Sequence, residues 1–257
     1  MTSTASTIAF FDSGVGGLTV LQEALQLLPQ EHYVYFADSD SAPYGTKSSA
    51  QIIALVDNAI DFLVAQHPLK ALVIACNTAT SVAIHGLRAR YDFPIIGMEP
   101  ALKPALHIAS DKSVLVCATE RTLKGPSLQT LATRLGAQDR LQRLSLQQLV
   151  VFAERLEWDS PAVHQYLQQQ LGNIDWESIQ AVVLGCTHFP YYSALLETLI
   201  PSHISILDGH AGTVRQLQTS IQAAPLTQAP SLLYYRSSKR LPTTDLTPYL
   251  AYMNVFL

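Results

Sequence analysis

Short apolar runs alternate with amphipathic segments along most of the chain. Residues 8–11, 33–37 and 113–118 are mainly apolar or aromatic, as buried strands are. Leu18 to Leu28 and Ser49 to Gln66 instead carry their apolar residues at helical spacing. This alternation predicts parallel α/β sheets with helices on both faces.

Two other segments complete the predicted pattern. Residues 126–170 are predicted to be rich in helix, until Gln180 begins another apolar strand. The β-rich segment Ser231 to Arg236 is a candidate strand that returns to the first sheet.

One apolar run ends in a cysteine, and the same arrangement recurs 110 residues later. Ala71 to Ser81 is an apolar run followed by Cys76 and small polar side chains, and Ala181 to Tyr191 repeats this pattern around Cys186. The repeat predicts that the two cysteines occupy equivalent points of two similar units.

The spacing of the turns extends the repeat. Asp12 opens a glycine-rich turn 64 positions before the first cysteine, and Thr119 opens a turn 67 positions before the second. We therefore expect an α/β protein of two similar doubly wound, mainly parallel-sheet domains related by pseudo-symmetry. Because ligands bind at the carboxyl ends of strands in such sheets, the active site is expected in the cleft between the domains.

Composition narrows the class of protein. The chain has 257 residues, 48% of them hydrophobic and 14% charged, which is typical of a globular protein. Its net charge of −4, without a block of basic residues, predicts binding to neither nucleic acid nor an anionic membrane. No apolar run approaches the roughly 18 residues that span a membrane, so we expect a cytoplasmic protein.

The three cysteines do not form the pattern of a disulfide framework or a zinc site. Their number is odd, and no Cys-X-X-Cys pair is present. Thiols in a reducing compartment and no metal are therefore expected. Cys117 lies inside an apolar run and is interpreted as a core residue.

Paired thiols suit a reaction that uses two acid/base groups. Cys76 and Cys186 lie where predicted strands meet predicted helices, and a helix N-terminus favours a thiolate. If the two units face each other, one thiolate can remove a proton from a substrate carbon while the other thiol protonates the opposite face. Such a reaction inverts a stereocentre.

Three other interpretations are open. Buried cysteines are often structural. Cys186 and His188 could instead form a nucleophile pair of a Cys-dependent hydrolase, which would leave Cys76 without a role. Two α/β lobes could also bind a small molecule without turnover.

Several motifs together resemble one family in order and across most of the chain. They are Phe11 to Gly17 (FDSGVGG), Ala37-Asp38 with Pro43 to Gly45, Cys76 to Thr80 (CNTAT), Glu99 to Ala101 and Gly185 to Pro190 (GCTHFP). This set is similar to the glutamate racemases. The resemblance implies cofactor-independent, two-base interconversion of L- and D-glutamate, which supplies D-glutamate for peptidoglycan. The wider superfamily includes aspartate and hydantoin racemases, which are the alternative activities.

The resemblance also implies roles for particular residues. Cys76 and Cys186 match the proton donors and acceptors, assisted by Asp12 and His188 respectively. Glu154 matches a catalytic-site glutamate of the second domain, although the residues before it differ from the family pattern. The residues that match substrate contacts are Asp12, Ser13, Tyr44, Gly45, Asn77, Thr78, Thr187 and His188.

The domains would then be residues 1–99 with 209–257, and residues 100–208. The expected partners are glutamate and a second copy of the chain in a homodimer. No cofactor is expected, because no lysine context indicates pyridoxal phosphate.

Overall fold

The computed structural model describes residues 6–108, 112–222 and 229–253. The predicted domain ends at residues 1–5 and 254–257 lie outside these ranges. In chain order the strands are β1 (Thr7–Asp12), β2 (His32–Ala37), β3 (Leu69–Ile74), β4 (Ile95–Gly97), β5 (Ser113–Ala118), β6 (Leu141–Ser145), β7 (Ile179–Leu184), β8 (Ser205–Asp208), β9 (Ser231–Arg236) and β10 (Lys239–Leu241).

Helices separate most of these strands. They are α1 (Leu18–Leu27), α2 (Ser49–Gln66), α3 (Asn77–Arg90), α4 (Leu102–Leu106), α5 (Glu120–Lys124), α6 (Pro126–Arg134), α7 (Gln147–Glu154), α8 (Pro161–Leu171), α9 (Ser193–Leu199), α10 (His210–Ser220) and α11 (Thr247–Tyr252). Their starts follow from local sequence: Ser48 and Gln51 form a capping box on α2, and Pro126 and Pro161 occupy first helical positions. None of the helices in the described part of the chain is long and apolar enough to span a membrane.

The described strands form two sheets that repeat one topology. The first has the order β10-β9-β2-β1-β3-β4 and the second β6-β5-β7-β8, so β2-β1-β3-β4 corresponds to β6-β5-β7-β8. All neighbouring strands are parallel except β9 and β10. The predicted α/β class with two similar, mainly parallel sheets is therefore confirmed.

Strand register fixes which residues are equivalent. Phe11 pairs with Ile74 in the first sheet, and Cys117 pairs with Leu184 in the second. Cys76 and Cys186 each lie two residues after these paired positions, Ile74 and Leu184, so the two cysteines correspond. By the same register Thr119 corresponds to Ser13, which corrects the predicted alignment of Thr119 with Asp12 by one residue.

Side chains that alternate along the strands divide the core. In β1, Ile8 and Phe10 pack with α1, whereas Ala9 and Phe11 pack with α2 and α3. The cluster around Ile8 continues into the second sheet, where it includes Leu115 and α7 to α9. This shared apolar core joins the two halves of the molecule, by which we mean the first sheet with its helices and the second sheet with its helices.

The segment predicted to be rich in helix also contains a strand. β6 interrupts residues 126–170, and its sequence Leu-Gln-Arg-Leu-Ser is too polar to stand out as a buried strand. It lies at an edge of its sheet, where its side chains are only partly buried. The candidate strand Ser231–Arg236 does return to the first sheet, parallel to β2.

Candidate active site

The turn after β1 presents a buried carboxylate. Asp12 is fully buried, and its Oδ1 accepts a hydrogen bond from the Gly14 amide at 2.7 Å. Its Oδ2 accepts from the Thr187 hydroxyl at 3.0 Å, which links the first sheet to the loop after β7. Burial raises the pKa of Asp12 to about 6, although the positive charge of His188 opposes this shift.

Cys76 lies at the end of β3 and caps α3. Its Sγ accepts from the Ala79 amide at 3.4 Å and lies 3.5 Å from the Ser13 hydroxyl. Burial, followed by the negative charge of Asp12, raises the pKa of the thiol to about 12. At neutral pH Cys76 is therefore a protonated thiol in this closed arrangement.

Cys186 has different neighbours. Its Sγ lies 3.8 Å from Nδ1 of His188, whose Nε2 lies 2.8 Å from Oε1 of Glu154. Burial acts to lower the pKa of His188, but its hydrogen bonds to Cys186 and Glu154 prevail and raise it well above the ordinary value. His188 is therefore an imidazolium that lies between the Cys186 sulfur and the Glu154 carboxylate.

Glu154 also connects the two halves of the molecule. It is the last residue of α7, and its Oε1 accepts from the backbone amide of Val15 at 2.8 Å. Glu154 thus lies beside His188, although the residues before it differ from the family pattern.

Both thiols line one small buried cavity. Cys76 is 5% exposed and Cys186 is 7% exposed. The cavity volume is about 10 Å³, the room that a single water molecule needs. Its lining residues are Ser13, Tyr44, Gly45, Cys76, Asn77, Thr78, Thr119, Val150, Cys186, Thr187 and His188.

The loop after β2 forms another wall of the cavity. Tyr44 is buried and donates a hydrogen bond to Oδ2 of Asp38 at 2.7 Å. A Cβ on the next residue, Gly45, would lie 2.2 Å from Oε1 of Gln147 and would displace the end of that side chain. This wall therefore packs directly against the start of α7.

A cluster of hydroxyl groups borders the same wall. Oγ1 of Thr78 lies 3.0 Å from Oγ1 of Thr119 and 3.3 Å from Oγ1 of Thr122. Asn77 lies beside them with its Oδ1 buried and without a hydrogen-bond partner among the described residues. Neutral polar groups thus surround this side of the cavity.

The predicted residues and the cavity overlap closely. Every substrate contact implied by the resemblance lines the cavity except Asp12, which bonds to Thr187 in its wall. Sequence reasoning missed Thr119, Val150 and Gln147 as neighbours of the site. Thr119 could have been found from its equivalence with Ser13, because each of the two residues follows a central strand of its sheet. Within the described ranges, no group of three or more His, Cys, Asp or Glu side chains is arranged to hold a metal ion.

Comparison with known proteins identifies the family. The model of the Asp/Glu/hydantoin racemase family matches residues 13–217. The chain belongs to this family. Glutamate racemase of Halothermothrix orenii is 46% identical over 211 residues, which are 82% of this chain and 83% of the relative. Glutamate racemase 2 of Bacillus subtilis is 44% identical over 82% of this chain and 80% of the relative.

Solved structures of family members have the same fold. A glutamate racemase isoform of Bacillus anthracis gives a TM-score of 0.84 at 29% identity, covering 97% of this chain and 95% of that one. Escherichia coli glutamate racemase, solved with L-glutamate and the activator UDP-MurNAc-ala, gives 0.82 at 32% identity, covering 96% and 95%. The predicted racemase class is therefore confirmed.

The buried Asp12 carboxylate predicts a pH-dependent gain in stability for Asp12→Asn. The folded pKa of about 6 exceeds the ordinary 3.8, so the folded protein binds this proton more tightly than the unfolded chain. The wild type therefore loses stability as the pH rises from about 4 through about 6. Asparagine carries no charge, so the variant should be more stable at pH 7.5 by up to about 3 kcal/mol, and this gain should vanish near pH 4.

Urea unfolding at pH 4 and pH 7.5 measures the difference. The matched control is Asp139→Asn, which changes an exposed carboxylate. A gain of equal size at both pH values would show that charge burial at Asp12 is not its cause.

Proposed function

We propose that the protein interconverts L- and D-glutamate by a cofactor-independent mechanism in which Cys76 and Cys186 are the two acid/base groups. The main support is that both thiols, carried by different sheets, line the same buried cavity. The names of the similar racemases, and the L-glutamate in the structure of the Escherichia coli relative, support glutamate as the substrate.

The proton balance requires one thiolate and one thiol. The thiolate removes the α-proton from one face of the substrate, and the thiol donates its proton to the opposite face. The product is the other enantiomer, and the two sulfur atoms have exchanged protonation states. The reverse reaction starts from that exchanged state, so one site serves both directions.

The unequal neighbours of the thiols suggest different ways of assisting them. A protonated His188, held by Glu154, places a positive charge beside the Cys186 sulfur. Burial and Asp12 raise the pKa of Cys76, which makes its thiolate a stronger base toward the weakly acidic α-proton. The Asp12 carboxylate also offers a counter-charge for the substrate ammonium group.

Substrate entry requires the halves of the molecule to separate. A cavity of about 10 Å³ holds no amino acid, so Ser13 and Tyr44 on one side must move away from Thr187 on the other. The polar residues proposed to contact glutamate after entry are Ser13, Tyr44, Gly45, Asn77, Thr78, Thr187 and His188. We propose residues 1–99 with 209–257, and residues 100–208, as the two lobes that move.

A Cys-dependent hydrolase is the second candidate. Cys186 and His188 are in contact at 3.8 Å, although their spacing in the sequence did not require it. This alternative gives no chemical role to Cys76, which lines the same cavity.

Single substitutions of the thiols separate the two candidates. Cys76→Ser and Cys186→Ser should each lower racemisation by at least about 100-fold, because each removes one acid/base group. In deuterated water each variant should still exchange the α-proton of one enantiomer, through its remaining thiol. Chiral chromatography and mass spectrometry measure inversion and deuterium uptake.

Cys117→Ala is the matched control. Cys117 is a buried thiol that does not line the cavity, so this variant should retain racemisation. Full racemisation by Cys76→Ser would exclude the two-base mechanism. Hydrolysis of an amide or ester by Cys76→Ser, together with loss of that activity in Cys186→Ser, would favour the hydrolase.

We also propose that the enzyme works in the cytoplasm, where it supplies D-glutamate for peptidoglycan. Bacterial relatives named glutamate racemases support this role. A bacterial strain that requires added D-glutamate should grow without it when it expresses the wild-type chain. Failure of the wild type to restore growth, with activity present in vitro, would argue against the role.

A homodimer is proposed as the assembly. Ile53 and Val64 are 38% and 37% exposed, and their spacing of 11 residues places them on one face of α2. Light scattering should give twice the chain mass of 28.1 kDa, and Ile53→Lys with Val64→Lys should give a monomer. Leu27→Lys, at a similarly exposed apolar residue of α1, is the control; a monomeric wild type would refute the proposal.

A further inference from the structure

Gln147 is a half-buried residue whose polar side-chain atoms are buried without partners. It is the first residue of α7, and both polar atoms of its side chain, Oε1 and Nε2, are buried. Neither atom has a hydrogen-bond partner among the residues that the structure describes. A buried amide without partners is destabilising, so its presence at this place calls for a ligand or a function.

The amide lies against the wall of the candidate active site. A Cβ built on Gly45 would come within 2.2 Å of Oε1 of Gln147 and within 3.0 Å of Cβ of Thr119. Gly45 and Thr119 both line the cavity that contains the two thiols. A side chain at position 45 would therefore push this amide aside.

Gln147 and Gly45 belong to different halves of the molecule. Gly45 follows β2 of the first sheet, whereas Gln147 follows β6 of the second. Any separation of the halves that admits a substrate therefore also parts Gln147 from Gly45. The amide would then face the enlarged cavity.

The surroundings of Gln147 suit a carboxylate. The Cβ of Thr119 borders the same point of Gly45 as the amide of Gln147, and the Thr119 hydroxyl bonds to that of Thr122. The carboxylates of Asp12, Glu154 and Asp38 are bonded to Thr187, His188 and Tyr44 respectively. A negatively charged group of the substrate can therefore accept a hydrogen bond from the neutral amide of Gln147.

We propose that the side-chain amide of Gln147 binds the distal carboxylate of the dicarboxylic amino acid and makes the site selective for it. Gln147 does not itself line the small cavity around the thiols, so it reaches a part of the substrate set back from the α-carbon. This inference rests on the proposed function, since it names a determinant of substrate selection in that reaction.

Gln147→Leu tests the inference, with Gln148→Leu as the matched control. Gln148 is the exposed neighbour on the same helix. Loss of a hydrogen bond to a charged group should raise the KM for glutamate by about 10- to 100-fold in Gln147→Leu, while kcat changes far less. Gln148→Leu should leave both constants unchanged.

Two further measurements separate binding from a structural role. The unfolding temperature of Gln147→Leu should equal or exceed that of the wild type, because an apolar side chain replaces an unpaired buried amide. Competitive inhibition by norvaline, an amino acid without a distal carboxylate, should not weaken. An unchanged KM for glutamate, or an equal loss of affinity for glutamate and norvaline, would overturn the inference.

The wild-type enzyme distinguishes this failure from failure of the proposed function. Without turnover of glutamate by the wild type, the proposed function itself is wrong. With wild-type turnover and an unchanged KM in Gln147→Leu, the assignment of Gln147 alone is wrong.

Discussion

Two carboxylates accept hydrogen bonds between the halves of the molecule beside the cavity. Asp12 of the first half accepts a hydrogen bond from Thr187 of the second, and Glu154 of the second accepts from the Val15 amide of the first. Removing these charges from water is unfavourable unless such partners replace the lost hydration. The partners are available only when the halves meet, and the same meeting brings both thiols to one cavity. Closure and assembly of the site are therefore one event.

The repeated topology makes the thiols equivalent in position, while their neighbours make them unequal. Cys76 and Cys186 follow corresponding strands, yet the counterpart of Asp12 in the second sheet is Ala118. The second unit obtains its carboxylate from α7, by way of His188. A chiral substrate presents different groups to each wall of a cleft, so unequal neighbours are compatible with acid/base groups on opposite faces. The repeated backbone places the two thiols at equivalent positions, and the different residues around each thiol give it a different environment.

The sequence was informative where a strand is both buried and repeated. The apolar runs before the two cysteines predicted β3 and β7 and their equivalence, because burial on both faces leaves an unmistakable apolar run. β6 was missed, since an edge strand with exposed polar side chains resembles the helical sequence around it. The hydrogen bond from the Val15 amide to Glu154 could not be predicted either, because nearly every residue has a backbone amide. Gln147 escaped notice because its significance lies in an unpaired state that only the packing reveals.

The size of the closed cavity has a consequence for reagents that attack thiols. With Cys76 and Cys186 almost completely covered, an electrophile can reach neither sulfur until the halves part. The alkylation rate at saturating reagent would then be limited by how often the cleft opens, whatever the intrinsic reactivity of the sulfur. The rate of covalent labelling could thus measure the rate at which the cleft opens. An inhibitor that keeps the cleft closed would protect both thiols from the reagent.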